Sequence, residues 1–101
     1  MSVFSTEFDF TLPNGYTDSE GNLHREGAMR LATAADEILP LRHPRVVADP
    51  AYLMVIVLAR VIVRFGTLEM ITPRVIEELH AEDFDFLKKF YMKVNEMEVD
   101  T

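Results

Sequence analysis

The sequence predicts an α+β fold: an N-terminal β-hairpin followed by a small bundle of about three to four helices. Three observations lead there. Phe8, Phe10 and Leu12 alternate with polar residues, the two-residue period of a half-buried strand. Asp49-Pro50 and Thr72-Pro73 each place a capping side chain before a proline suited to a first helical turn. Leu87, Phe90, Tyr91, Val94 and Met97 recur at helical spacing, opposite Asp85, Lys88, Lys89 and Glu96.

Taken in order, the first strand ends at Pro13, and a second runs from Asn22 to Ala32, with Leu23, Met29 and Leu31 on one parity and Arg25 and Gly27 interrupting it. Asn14-Gly15 and Glu20-Gly21 each make a bend in the long connection. The register stays open, because the two runs differ in the quality of their alternation. Thr33 caps a short helix with Asp36 and Glu37 in its first turn, and Pro40 ends it. Residues 41–48, with Pro44 inside, read as a loop. A helix from Pro50 to Phe65 follows, closed by Gly66. Thr67–Ile71 is a connector, and a helix carrying Val75, Ile76 and Leu79 on its inner side starts after Thr72. Whether it runs unbroken through His80-Ala81-Glu82-Asp83 is open, Asp83 being a good cap for a new helix.

The chain has 101 residues, 49% of them hydrophobic, enough to bury roughly 65% of its unfolded surface in one core. Residues 1–101 therefore read as a single domain, the hairpin over about 7–32 and the helical part over 33–97, with flexible ends. Without cysteine there is no disulfide framework or thiolate chemistry, and the first residues lack a signal peptide's basic and apolar regions, so a cytoplasmic location is expected. A net charge of -7 opposes nucleic-acid binding. Residues 40–64 nevertheless carry Arg42, Arg45, Arg60 and Arg64 against Asp49, whereas residues 77–101 are strongly acidic, so internal pairing between the two is expected.

The helix from Pro50 to Phe65 is apolar on almost every side. At ~1.5 Å per residue it spans only ~24 Å, short of a ~30 Å hydrocarbon core, and its arginines cost ~2.5–3.5 kcal/mol each at the bilayer centre; no membrane is expected. Met54, Val55, Leu58, Ile62 and Phe65 form a face for the C-terminal helix. Two readings of the remainder stay open: an ordinary helix covered on all sides, or an interface in which Tyr52, Leu53, Ile56, Val57, Arg60 and Arg64 receive a helix of another protein or another copy.

No catalytic or metal constellation emerges. Asp18, Glu20, Gly21 and Asn22 mimic part of a calcium loop, but an EF-hand glycine at the sixth position would put Tyr16 at the first. His24 reads as a strand surface residue, His43 as a loop residue and His80 as a helix C-terminal residue, with no paired-histidine motif. Glu77, Glu78, Glu82, Asp83 and Asp85 read as a solvated face rather than paired carboxylates. Ser2, Ser5 and Ser19 lack a nucleophile-elbow pattern. The expectation is no enzyme, no cofactor and no metal; a cryptic carboxylate or histidine site is the remaining enzymatic alternative.

The run Phe-Asp-Phe-Thr-Leu-Pro-Asn-Gly-Tyr from Phe8, with Gly-Asn-Leu-His-Arg-Glu-Gly from Gly21, Thr-Ala-Ala-Asp-Glu-Ile-Leu-Pro-Leu from Thr33, Ala-Tyr-Leu from Ala51 and Asp-Phe-Asp-Phe-Leu from Asp83, resembles small tail assembly proteins of contractile-tail phages and related injection particles. The resemblance extends from Phe8 to Glu96 and carries no catalytic residues. It implies a tail assembly chaperone that keeps the tape-measure protein soluble until the tube forms around it. The alternative is a small structural or adaptor subunit of such a particle, or a generic protein-binding domain; a homo-oligomer is compatible with either.

Overall fold

The computed structural model describes residues 6–95. The expected flexible ends, and the place of Glu96 and Met97 on the last helix, lie outside these residues. Strands β1 (Glu7–Thr17), β2 (Leu23–Arg30) and β3 (Ile62–Phe65) form an antiparallel sheet in the order β1-β2-β3. Helices α1 (Ala34–Ile38), α2 (Pro44–Ala48), α3 (Leu53–Val61), α4 (Pro73–Glu77) and α5 (Ala81–Val94) complete it, with 3-10 turns at Leu39–Arg42 and Pro50–Tyr52. The chain is thus α+β with a leading hairpin, as the alternation and caps predict.

The third strand corrects the sequence expectation. The helix that was to reach Phe65 ends at Val61, and Ile62 is already extended. Val61-Ile62-Val63 is a run of β-branched residues, stiff at χ1 and suited to a pleated surface, and β2 supplies a free edge: Phe65 pairs with Gly27, Arg64 with Ala28 and Ile62 with Met29. Val63 bulges out of this register and is exposed. Gly27 permits the close approach, since a Cβ there would lie 2.4 Å from the Arg64 carbonyl oxygen. Gly66 is left-handed, at φ 56°, but it ends a strand rather than a helix.

β1 also continues past Pro13, its expected end. Thr11 pairs with Glu26 and Tyr16 with His24, so residues 12–15 face Arg25 alone and bulge. The bulge removes Pro13, which has no N–H, from the ladder. Arg25 fills the gap, donating from Nε to the Leu12 carbonyl at 3.0 Å and from its guanidinium to the Pro13 carbonyl. Met29 on β2 is buried, but Leu23 and Leu31, expected to share its face, are exposed at 59% and 40%; Leu23 sits at the hairpin end of β2, and Leu31 lies beyond the strand's other end.

Caps behave as their chemistry dictates. The Asp49 carboxylate accepts the Ala51 N–H at 3.1 Å, and the Thr72 hydroxyl accepts the Val75 N–H at 3.4 Å. The expected loop at 41–48 is instead helical: the His43 ring accepts the Arg45 N–H, and Pro44 starts α2. The chain breaks between α4 and α5 at His80, which is extended and precedes α5, so it is neither a helix C-terminal residue nor displaced as a cap by Asp83.

The core joins Phe10, Leu12 and Met29 of the sheet to Leu58 and Val61 of α3, Ile76 of α4, and Leu87 and Tyr91 of α5. α5 lies along β1, where Phe90 meets Phe10 edge-on with centroids 5.9 Å apart.

Candidate protein-binding surface

α3 is packed by α1, the turn at Leu39–Arg42, α4 and α5. That coverage decides the fate of the residues expected to form an interface. Ile56 and Val57, read as a flank open to a partner, are 7% and 1% exposed. Arg60 donates from Nε to Asp36 at 3.0 Å, and Arg64 reaches Asp9 at 3.0 Å. Among the described residues, Arg45 alone of the central arginines pairs toward the acidic C-terminal part, meeting Glu77 at 3.2 Å; Arg60 and Arg64 find N-terminal carboxylates, because α3 and β3 lie beside α1 and the sheet, and Arg42 forms no ion pair. Tyr52 and Leu53 remain half-buried at the surface. The six residues thus do not form one continuous surface.

Two clefts flank α3 instead. The first, about 360 Å³, has Val55, Ile76, Leu79 and Phe84 around it and Arg45, Tyr52 and Glu77 at its rim. The rim is tied together: the Arg45 guanidinium sits 4.2 Å from the Tyr52 ring centroid, and the Tyr52 hydroxyl donates to Glu77. Burial and the Glu77 bond push the Tyr52 hydroxyl pKa up. The second cleft, about 340 Å³, has Leu53, Met54 and Val57 of α3 between Leu41 on one side and Met92 of α5 on the other. Tyr91 and Glu37 close its end, the hydroxyl donating to the carboxylate; burial and that bond raise the Tyr91 pKa far above its ordinary value.

Around the second cleft the apolar surface is open: Ile38 is 54% exposed, Leu41 53% and Met92 46%. Contiguous exposed apolar side chains mark interaction surfaces more often than scattered ones do. Sequence reasoning placed Leu53 and Val57 here but missed Leu41 and Met92. The available signal was Met92 set among Lys88, Lys89 and Lys93, an apolar residue on a charged stripe. Leu41 gave none, as one leucine in an expected loop.

Histidine and carboxylate chemistry resolves into structural clasps. His24, expected on the surface, is buried; its Nε2 lies 2.8 Å from Asp18 and its Nδ1 accepts the Thr67 N–H at 3.3 Å, so both ring nitrogens are taken. Asp18 in turn accepts the N–H groups of Glu20 and Asn22 and shapes the hairpin tip. Asp83, expected on a solvated face, is 0% exposed and binds the bulge of β1. Among the described residues no group of three histidine or acidic side chains is placed to hold a metal ion, and no helix is long and apolar enough to cross a membrane.

These carboxylates give a pH prediction. The His24 N–H and the backbone donors lower the Asp18 pKa from 3.8 to about 2, and Arg30 lowers that of Asp36 further still. Both folded values lie below the unfolded ones, so the stabilisation is complete above the ordinary carboxyl range and is lost as pH falls through it toward the folded values. Urea midpoints are expected to hold steady near neutrality and to drop from about pH 4 down to about pH 2. Asp18→Asn should flatten part of that drop; an unchanged profile would exclude Asp18 as a contributor.

Comparison with known proteins finds no matching family model, curated protein or solved structure. The surface itself therefore supplies the functional argument.

Proposed function

We propose that this chain is a phage tail assembly protein that acts as a chaperone, binding apolar segments of the tape-measure protein in the cytoplasm of the producing bacterium until the tail tube encloses them. The observation that carries this reading is the open apolar cleft between Leu41 and Met92, floored by α3, on a small acidic domain. A surface of that kind masks amphipathic helix, while net charge away from zero keeps the complex soluble. The motif resemblance from Phe8 onward supports the same role. Leu53 contributes to binding in this cleft, whereas Tyr52 borders the other one; Ile56 and Val57 act beneath the surface, by holding α3 in place.

The test is coexpression with the long helical product of a gene neighbouring tube and sheath genes. The parent is expected to keep that protein soluble and to copurify with it. Leu41→Ser/Met92→Ser, which alters exposed positions only, should reduce the retained amount about tenfold, equivalent to ~1.4 kcal/mol. Equal solubility with and without the chain would remove the chaperone role. Recovery of the chain in purified particles would favour a structural subunit instead.

A further inference from the structure

We infer that His24 is an acid-sensitive latch, whose ring holds the connector after β3 while neutral and releases it on protonation. The ring sits where the hairpin meets the end of β3. It is buried on β2, with Tyr16 of β1 stacked against it at 6.4 Å between centroids and Phe65 of β3 tilted against it at 6.2 Å. Asp18 at the hairpin tip lies 2.8 Å from Nε2, and the Thr67 N–H reaches Nδ1 at 3.3 Å. A backbone N–H only donates, so Nδ1 is the acceptor and the ring hydrogen sits on Nε2, facing the Asp18 carboxylate. The folded arrangement thus uses one neutral tautomer.

Protonation puts a hydrogen on Nδ1, which then points at the Thr67 N–H and ends that bond. The ring has little freedom to relieve the conflict by moving. Asp18 stays charged, its pKa held down to about 2 by the ring N–H and the Asn22 and Glu20 backbone donors, and its attraction for an imidazolium keeps Nε2 in place. Gly66 crowds the ring: a Cβ there would lie 2.1 Å from Nδ1, so only a glycine fits against it. The connector is the part that yields. Thr67 is exposed, so its N–H can turn to water, and Gly66, at φ 56°, has the freedom to change its angles. Beyond Thr67, Leu68 and Ile71 are only half-buried against the core.

The other charges nearby are engaged elsewhere. The Tyr16 hydroxyl donates to Glu78 of α4, which Arg74 pairs. Asp83 of α5 accepts the Asn14 and Gly15 N–H groups, and on β2 the Arg25 guanidinium turns to the Leu12 and Pro13 carbonyls while Glu26 is exposed. The Asp18 carboxylate favours the charged ring and the Thr67 donor the neutral one. The two oppose each other in overall stability, so protonation is read locally rather than in the urea midpoint.

The experiment is an NMR titration of the full chain from about pH 7.5 to about pH 5, the range over which imidazoles ordinarily protonate. Ring nitrogen shifts report the tautomer and charge of His24, and amide hydrogen exchange, corrected for its intrinsic pH dependence, reports the latch. The ring is expected to carry hydrogen on Nε2 alone at the upper end and on both nitrogens at the lower, with Thr67 protection falling about tenfold in step. The Leu58 and Val61 amides of α3 should keep theirs. His24→Gln should make Thr67 protection independent of pH over this range. Asp18→Asn keeps the ring and gives a second reading: without the carboxylate the neutral form persists, and the Thr67 transition should move down by about one pH unit. A ring that titrates while Thr67 protection stays constant overturns the inference. So does hydrogen on Nδ1 at the upper end of the range, a ring still neutral at the lower end, or a Thr67 response that survives unchanged in His24→Gln.

Discussion

Replacing Asp83 with alanine is expected to lower the stability of the chain by about 3–5 kcal/mol, a large part of the roughly 5–15 kcal/mol available to a small domain. The carboxylate has no solvent exposure. One oxygen accepts the Asn14 N–H at 2.9 Å, and the other accepts the Gly15 N–H at 2.8 Å. Those two donors point away from β2 because residues 12–15 bulge, so Asp83 is their replacement for a ladder. Its position in the first turn of α5 adds favourable interaction with the helix dipole. Hydrogen bonds to a charged group contribute about 1.5–3 kcal/mol each, and alanine leaves both backbone donors without an acceptor in a buried setting.

Asparagine at position 83 separates shape from charge. It keeps the volume but offers one acceptor oxygen for two donors, so a loss of about 2–3 kcal/mol is expected. Asp85→Ala is the matched control: Asp85 is exposed and pairs only with Lys89 one turn on, a contact of about 0.3–0.5 kcal/mol. Urea unfolding with unchanged m-values provides the measurement. Similar midpoints for Asp83→Ala and Asp85→Ala would show that the bulge does not depend on this anchor.

Asp83 also illustrates what a single sequence conceals. Asp49, Thr72 and Thr33 were legible as caps because a cap acts on backbone two or three residues away, within reach of local pattern. Asp83 stands in the same kind of acidic first turn, yet its partners are Asn14 and Gly15, on the far side of the sequence. His24 follows the same rule in part: Asp18 meets it within the hairpin, but Thr67 reaches it only once β3 has docked. The end of α3 was misplaced for a related reason: Val61-Ile62-Val63 is apolar at either period, and only the pairing of Ile62 with Met29, and of Arg64 and Phe65 with Ala28 and Gly27, selects a strand. Of the proposed binding surface, Leu53 was legible from helix geometry, whereas Leu41 required knowing that the turn around Pro40 folds over α3.

Asp36→Ala is expected to cost about 2–4 kcal/mol, somewhat less than the full loss for breaking a buried pair because its arginines stay partly hydrated. The carboxylate is 2% exposed, and Arg30 and Arg60 are 33% and 37% exposed. Arg30 grips it with two nitrogens, at 2.7 and 3.0 Å; Arg60 adds a third contact at 3.0 Å, and the Thr33 N–H a fourth at 2.8 Å. A bidentate guanidinium is among the stronger side-chain pairs. Arg30 belongs to β2, Thr33 caps α1 and Arg60 lies on α3, so one carboxylate joins the sheet to both helices. Arg30 also donates to the Arg60 carbonyl at 3.1 Å, which keeps the two cations close even without the anion between them. Asp36→Asn should therefore be nearly as damaging as alanine, because it leaves two neighbouring positive charges uncompensated. Arg60→Met in the same background should recover part of the loss by removing that repulsion, and a double-mutant cycle gives the coupling. Because α1 and the turn at Leu39–Arg42 form one wall of the cleft, Asp36→Ala should also weaken partner retention at temperatures where the chain is still folded. If stability falls while retention is untouched, the cleft wall holds its place without this hub.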